Sequence, residues 1–255
     1  MGAVVTGLDF TLPDDEVRVW RASLDQPADA VRHLEGRLSL DELERADRFR
    51  FDTDRRRFVV GRGILRSVLG GYLDMPPEEL RFRYGEFGKP ALDEPGPSFN
   101  VSHAGPMALF AFASALEIGV DIELSTAGQE GERIAKHFFS PAEVRHLRSL
   151  PGRHRPAAFL ACWTRKEAFI KARGDGLSLP LDAFDVGFGP GQPCRLLRTA
   201  WSLDEPGEWH LVDLSDPSGG YVAALAARDR SFRVVSRSLD PVHLRRKSPI
   251  LEEMT

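Results

Sequence analysis

The sequence predicts an α+β protein of two similar, pseudo-symmetric lobes, each an antiparallel sheet packed with helices. Three observations carry this. The order strand, helices, antiparallel strands occurs twice along the chain. PMALFAFAS in the first half resembles GGYVAALAA about 100 residues later, a hint of a duplicated unit. At 255 residues and 42% hydrophobic content, the chain has enough apolar material for one large core or two small ones. The lobes are expected to meet near residue 115, giving an N-terminal lobe of 1–115 and a C-terminal lobe of 116–239, and a cleft between lobes is a usual place for a ligand. The closing DPVHLRRKSPILEEMT alternates charge and is poor in apolar residues, so 240–255 reads as a mobile tail.

The elements follow in order. VRVWRASLD reads as a first strand, and SLDELERADRFRFDTDRRRFVVGRGILRSVLGGYL has the helical spacing of apolar residues, interrupted at FDTD. LRFRYGEFGKPAL and FNVSHAG supply short strands and turns, and MALFAFAS and EIGVDIE read as paired strands. STAGQEGE is a polar, glycine-bearing loop. Helix resumes in RIAKHFFSPAEVRHLRSL, where Ser140 stands as N-cap before Pro141, with Glu143 at the third helical position. A long helix over AAFLACWTRKEAFIKARGDG closes on glycines, and the strands AFDVGF, EWHLVDL, GYVAALAA and FRVVSRSL complete the ordered part.

A formal net charge of −4 excludes a global basic field for nucleic acid, so any phosphate must be held by a local cluster. The two cysteines, Cys162 and Cys194, form no CxxC pair, which argues against a disulfide framework or zinc ribbon and fits a reducing cytoplasm. The N-terminus lacks a basic stretch followed by an apolar core, and the longest apolar run, MALFAFASAL, is too short to span a bilayer; a soluble protein is expected. MGAVVT and Asn100-Val101-Ser102 match the myristoylation and glycosylation strings, but such short strings arise often by chance and neither is assigned.

Chemistry concentrates in two stretches. In IGVDIE, residues 118–123, an extended chain puts Asp121 and Glu123 side by side on one face, where they repel unless something positive sits between them. In WTRKEAFIKARGDG, residues 163–176, Glu167 and Lys171 are one helical turn apart. Taken alone, the first is an edge strand with a wet face and the second a helix-surface ion pair worth about 0.2–0.5 kcal/mol. Together, a strand with two acids and a helix with a third offer three hard oxygen ligands from rigid elements, which suits Mg²⁺ or Mn²⁺ and not zinc. Such a site implies phosphate chemistry. Phosphate-holding candidates are Arg45, Arg48, Arg55, Arg56 and Arg57, Lys89 in FGKPAL, Ser102 and His103 in NVSHAG, and Lys171. Each has a plainer alternative: a solvated arginine face, a turn lysine, a structural imidazole.

The series GKPAL, FNVSHAG, IGVDIE, FFSPAE and WTRKEAFIKARGDGLSLPLDAF resembles the 4′-phosphopantetheinyl transferases, of the larger two-lobed kind that prime peptide and polyketide synthases. The resemblance covers almost the whole chain from VRVWRASLD to the last strand. It implies a cytoplasmic, monomeric enzyme of secondary metabolism that moves the phosphopantetheine arm of coenzyme A to a serine of an acyl or peptidyl carrier protein, releasing 3′,5′-ADP. It implies Asp121, Glu123 and Glu167 as the Mg²⁺ ligands, Glu167 as the base for the serine proton, and Lys171 as the group facing the departing phosphate. It implies nucleotide contacts from Gly88, Lys89 and Pro90, phosphate contacts from Ser102 and His103, and a 3′-phosphate clamp from Arg57 helped by Arg45. Glu42 and Glu44 depart from the pattern, standing where such proteins often carry lysine. For the carrier, Phe138 and Phe139 with the preceding RIAK are the docking candidates, although each also suits a core position. A metal-dependent hydrolase of a nucleotide or phosphodiester, and a non-catalytic module binding coenzyme A or a carrier, are the alternatives.

Overall fold

The computed structural model describes residues 9–85, 88–174, 176–228, 232–241 and 244. Its elements in chain order are β1 (Glu16–Ser23), α1 (Ala28–Glu35), α2 (Leu40–Ala46), α3 (Asp52–Leu73), β2 (Phe82–Tyr84), β3 (Pro90–Leu92), β4 (Ser98–Ala104), β5 (Met107–Ala113), β6 (Ile118–Leu124), α4 (Gly131–Phe138), α5 (Pro141–Ser149), α6 (Arg155–Arg173), β7 (Phe184–Val186), β8 (Leu196–Thr199), β9 (Trp209–Asp213), β10 (Tyr221–Arg228) and β11 (Arg233–Ser238). This is an α+β chain with antiparallel sheets packed against helices, as expected. It divides into two compact units, one of 1–11, 20–80 and 237–255 and one of 12–19 and 81–236.

The first unit is built around α3. Its α2 starts with a capping box in which Ser39 and Glu42 exchange bonds, and Glu42, 2% exposed, also pairs with Arg62 and, at 2.5 Å, with Arg66. Arg66, itself buried, donates further to the carbonyls of Pro77 (2.7 Å) and Leu80 (3.0 Å) and to Ser39 Oγ (2.9 Å). An acid that departs from the expected basic pattern is therefore an anchor between α2 and α3. The helix break falls at Asp47–Phe51, and FDTD, expected to interrupt the helix, instead opens α3 with acids in its first turn, where they complement the free N–H groups. The short α1 was not expected, although its buried Ala30, Val31 and Leu34 recur at helical spacing.

In the second unit, β4 and β5 form a hairpin registered Ser98↔Ala113 to Ala104↔Met107, within a sheet ordered β11-β1-β5-β4. The second sheet is ordered β6-β10-β9, with Leu124↔Tyr221 through Ile118↔Ala227. MALFAFAS and EIGVDIE are thus not paired strands. The two-residue Gly105-Pro106 turn folds β5 back on β4, and β6 meets β5 across a layer: Ile118, Val120 and Ile122 are buried with Val17, Val19, Leu109 and Ala111 in one core cluster. On the other face of β6 and β10 lies a second core, made with α6, Phe139, Phe159, Phe169, Phe184 and Phe188. The strand β8 was not expected, and LLRT lacks the continuous apolar run that marks β10. Of the 240–255 tail, only 240, 241 and 244 lie within the described residues.

Candidate active site

The site grows out of the α6–β6 contact. With Ile118, Val120 and Ile122 turned to the core, alternation leaves Gly119, Asp121 and Glu123 on the opposite face, toward α6. A Cβ at Gly119 would stand 2.1 Å from the Ala168 carbonyl oxygen and 2.3 Å from the Ala172 nitrogen, so only glycine lets the helix approach this closely. Ala224 and Ala226 on β10 keep the same face low. The close approach brings Lys171, one turn beyond Glu167, over the strand: its Nζ donates to Asp121 Oδ1 at 2.6 Å, to Ser102 Oγ at 3.1 Å and toward the Val120 carbonyl at 3.4 Å. Ser102 Oγ donates to the same Asp121 oxygen at 2.9 Å. Asn100, two residues earlier and on the same face of β4, accepts the Val120 N–H at 2.8 Å and fixes β4 against β6. Asn100 is buried, which leaves no room for a glycan there.

The charges are out of balance. Asp121 is 4% exposed, and its second oxygen, Oδ2, is buried without a hydrogen-bond partner. Burial raises the Glu123 carboxyl above its ordinary value, as do the charges of Asp121 and Glu167, while Lys171 and the Trp163 indole, which donates to it, act the other way. Glu167 is likewise raised, first by burial and then by Asp121, against the pull of Lys171. Three neighbouring carboxyls thus share one lysine. Among the described residues no three His, Cys, Asp or Glu side chains are gathered into a ready cage for a cation. Like charges push the acids apart, and Lys171 occupies Asp121 Oδ1. The donor set nonetheless fits a hard cation: every candidate atom is a carboxylate oxygen, and the orphaned Asp121 Oδ2 lacks a positive partner.

Other expected site residues are placed differently. Lys89 sits in the β2–β3 turn with Gly88 (φ 75°) and Pro90, and its Nζ donates to the carbonyl of Lys171 at 2.5 Å and points toward those of Ala172 and Ile118, both at 3.4 Å. His103 is exposed, on the face of β4 opposite Ser102. Arg45 and Arg57 belong to the first unit. Arg45 is exposed with its guanidinium 5.2 Å from the centre of the Phe58 ring, and Arg57 is paired with Asp25 through two bonds, at 2.7 and 3.0 Å.

Sequence reasoning missed several residues that shape the site. Lys166, fully buried, pairs with Glu143 at 2.8 Å, donates to the carbonyls of Leu181 (2.7 Å) and Phe184 (2.5 Å), and lies 4.2 Å from the centre of the Phe184 ring. Glu143 also accepts the N–H groups of Ser140 (3.0 Å) and Val186 (2.9 Å). The lysine and glutamate of RKE and SPAE are therefore a buried brace that orients α6. The available signal was the helical step of 100°, which turns Lys166 away from a face that carries Glu167. Of the two phenylalanines, Phe139 is buried against Phe159 and Phe188, whereas Phe138 is 47% exposed and lies edge-on to Trp163, 6.1 Å between ring centres.

An antiparallel α+β scaffold that brings carboxylates from a strand and a helix around one lysine and one serine defines an acidic oxygen-donor site, and the relatives say which kind. Residues 117–226 match the 4′-phosphopantetheinyl transferase superfamily, and residues 18–115 match the family described as 4′-phosphopantetheinyl transferase, N-terminal. The 4′-phosphopantetheinyl transferase HetI of Nostoc sp. is 45% identical over 202 residues, 77% of this chain and 85% of that protein. The 4′-phosphopantetheinyl transferase Sfp of Bacillus subtilis is 37% identical over 150 residues, 58% of this chain and 66% of that protein. Among solved structures, an ACPS–CoA complex from Chronobacterium ammoniagenes aligns with 22% identity and a TM-score of 0.35, covering 46% of this chain and 98% of that one. The chain belongs to the 4′-phosphopantetheinyl transferase superfamily and is an enzyme of that class.

Proposed function

We propose that the protein transfers the 4′-phosphopantetheine arm of coenzyme A to a serine hydroxyl of an acyl or peptidyl carrier protein, releasing 3′,5′-ADP. The observation that carries this reading is the buried Asp121 whose one oxygen is held by Lys171 and Ser102 while the other has no partner, beside two glutamates whose carboxyls burial and neighbouring acids raise above their ordinary value. Asp121, Glu123 and Glu167 would hold Mg²⁺ or Mn²⁺, which when bound neutralises charge on the phosphoryl oxygens. Glu167 takes the serine proton, as its raised affinity for protons suits it to do. The serine oxygen forms the new bond to the pantetheine-bearing phosphorus as the anhydride bond breaks toward 3′,5′-ADP. Lys171, freed from Asp121, meets the negative charge on the departing oxygen. Ser102 and His103 are assigned to the phosphates, Gly88 and Pro90 to the nucleotide, and Arg45 and Arg57 to the 3′-phosphate.

The carrier docks on Phe138 and Trp163 beside the basic Lys136 and His137 of α4, a surface suited to an acidic helix with an apolar stripe. The protein works as a monomer in the cytoplasm, with lobes of 1–115 and 116–239 and a tail of 240–255, and serves secondary metabolism. Both cysteines are free thiols, which suits a reducing compartment, and the two family matches meet between 115 and 117. Incubation with coenzyme A, Mg²⁺ and an apo carrier, followed by mass spectrometry, is expected to add one phosphopantetheine to the carrier and to stop when EDTA is added. Coenzyme A cleaved without an acceptor would make the protein a hydrolase, and an unchanged carrier with coenzyme A still bound would make it a non-catalytic module.

A further inference from the structure

Lys89 reaches a place that a phosphate-binding lysine does not need. Its turn is closed by Gly85 N–H to the Lys89 carbonyl at 3.0 Å, which holds its backbone between β2 and β3. From there the side chain runs to the end of α6, where a helix leaves carbonyls without partners. The Gly174 N–H takes the Ile170 carbonyl at 2.9 Å. The Lys89 ammonium takes the next, Lys171 O at 2.5 Å, and lies between Ala172 O and Ile118 O, both at 3.4 Å. One cation therefore binds the last turn of α6 and the first residue of β6 together. It does so at the residue whose own side chain reaches Asp121 and Ser102. A cation at a helix C-terminus is favoured by the helix dipole, and three carbonyls can satisfy the three ammonium hydrogens. Burial lowers the affinity of this amine for its proton, opposed by the charge of Glu117, so desolvation of the ammonium must be offset by these oxygens.

We propose that Lys89 is a positioning residue, which sets the register of α6 on β6 and thereby the reach of Lys171, and that it does not grip the nucleotide. This rests on the transferase reading, and two independent measurements separate their failures. In Lys89→Met, which keeps the apolar stem and removes the donors, kcat for carrier loading is expected to fall about tenfold to a hundredfold, the scale of a 1 Å misplacement, with the KM for coenzyme A changed less than about twofold. Lys89→Arg, still cationic at the same carbonyls, recovers most of kcat. In hydrogen exchange, the amides at the end of α6 and the start of β6 exchange faster in Lys89→Met and return toward wild type in Lys89→Arg. A large rise in the coenzyme A KM with kcat preserved, or exchange and kcat both unchanged, overturns the proposal. If wild type itself loads no carrier, the transferase reading fails and exchange alone decides the role of Lys89. If Lys89→Met does not fold, Lys89→Gln and Lys89→Arg are read by the same two measurements.

Discussion

Lys166 and Glu167 are neighbours on one helix and belong to opposite kinds of charge cluster. Lys166 points into a closed brace: one glutamate faces one lysine, carbonyls take the remaining ammonium hydrogens, and water is excluded. Glu167 points into an open cluster, where three carboxyls share one lysine and a buried oxygen has no partner. The difference shows that burial and ion pairs alone do not mark a functional site. What sets the Glu167 cluster apart is charge left unbalanced by the protein, a cost that a bound cation would relieve.

Substituting across the two clusters breaks this comparison most sharply. Glu167→Gln is expected to lower transfer by about 10²–10⁴-fold, the worth of a general base, while leaving the thermal midpoint within about 2 °C of wild type, because it removes a charge from a crowded group. Carrier loading followed by mass spectrometry, with a calorimetric scan of the same sample, tests both halves; wild-type activity in this variant removes Glu167 from the chemistry. Lys166→Met gives the converse. Leaving Glu143 buried and unpaired costs about 3–5 kcal/mol, read as an earlier urea midpoint, and any activity lost follows the folded fraction.

The two kinds of cluster also respond to acid with opposite signs. The Glu123 carboxyl is raised from its ordinary 4.5, so its contribution to stability is present below that pH and is lost as pH rises through its folded value. Glu42 runs the other way: burial pushes it up, but the bonds and charges of Arg66 and Arg62 outweigh this and hold it below 4.5. Its contribution is present above 4.5 and is lost as pH falls through its folded value. In urea unfolding from pH 7 downward, Glu123→Gln should therefore be stabilised relative to wild type at neutral pH, with the gain fading in acid. Glu42→Gln should be destabilised at neutral pH, with the deficit narrowing. Curves that shift in parallel would mean that the two acids do not sit in different charge environments.

Much of this was legible in the chain. The i, i+2 spacing of Asp121 and Glu123 and the turn between Glu167 and Lys171 follow from backbone periods, which hold whatever the tertiary packing. The capping box at Ser140 and the stop at Gly174, which takes φ 83°, rest on equally local rules. What stayed hidden depended on partners distant in sequence. No period says that β6 pairs with β10 rather than β5, or that the GKP lysine runs to a helix end some 80 residues away. The anchoring role of Glu42 was hidden because its partners, Arg62 and Arg66, meet it only once α2 folds onto α3.

The smallest effect comes from a second pair of neighbours, Phe138 and Phe139. Phe139 lies 5.4 Å from the Phe159 ring centre in the α6 core, and truncating it should cost about 3–5 kcal/mol of stability. Phe138 projects outward beside Trp163, so Phe138→Ala should change stability by less than about 0.5 kcal/mol. Its loss should appear in the carrier: at the edge of an interface one aromatic anchor is worth about 1 kcal/mol, a roughly fivefold rise in the carrier KM, with the KM for coenzyme A and kcat at saturating carrier unchanged. Because Trp163 also bonds Glu123, a fall in kcat would mean that Phe138 acts on the acid cluster through the indole and not on the carrier. An unchanged carrier KM would move the docking surface away from α4.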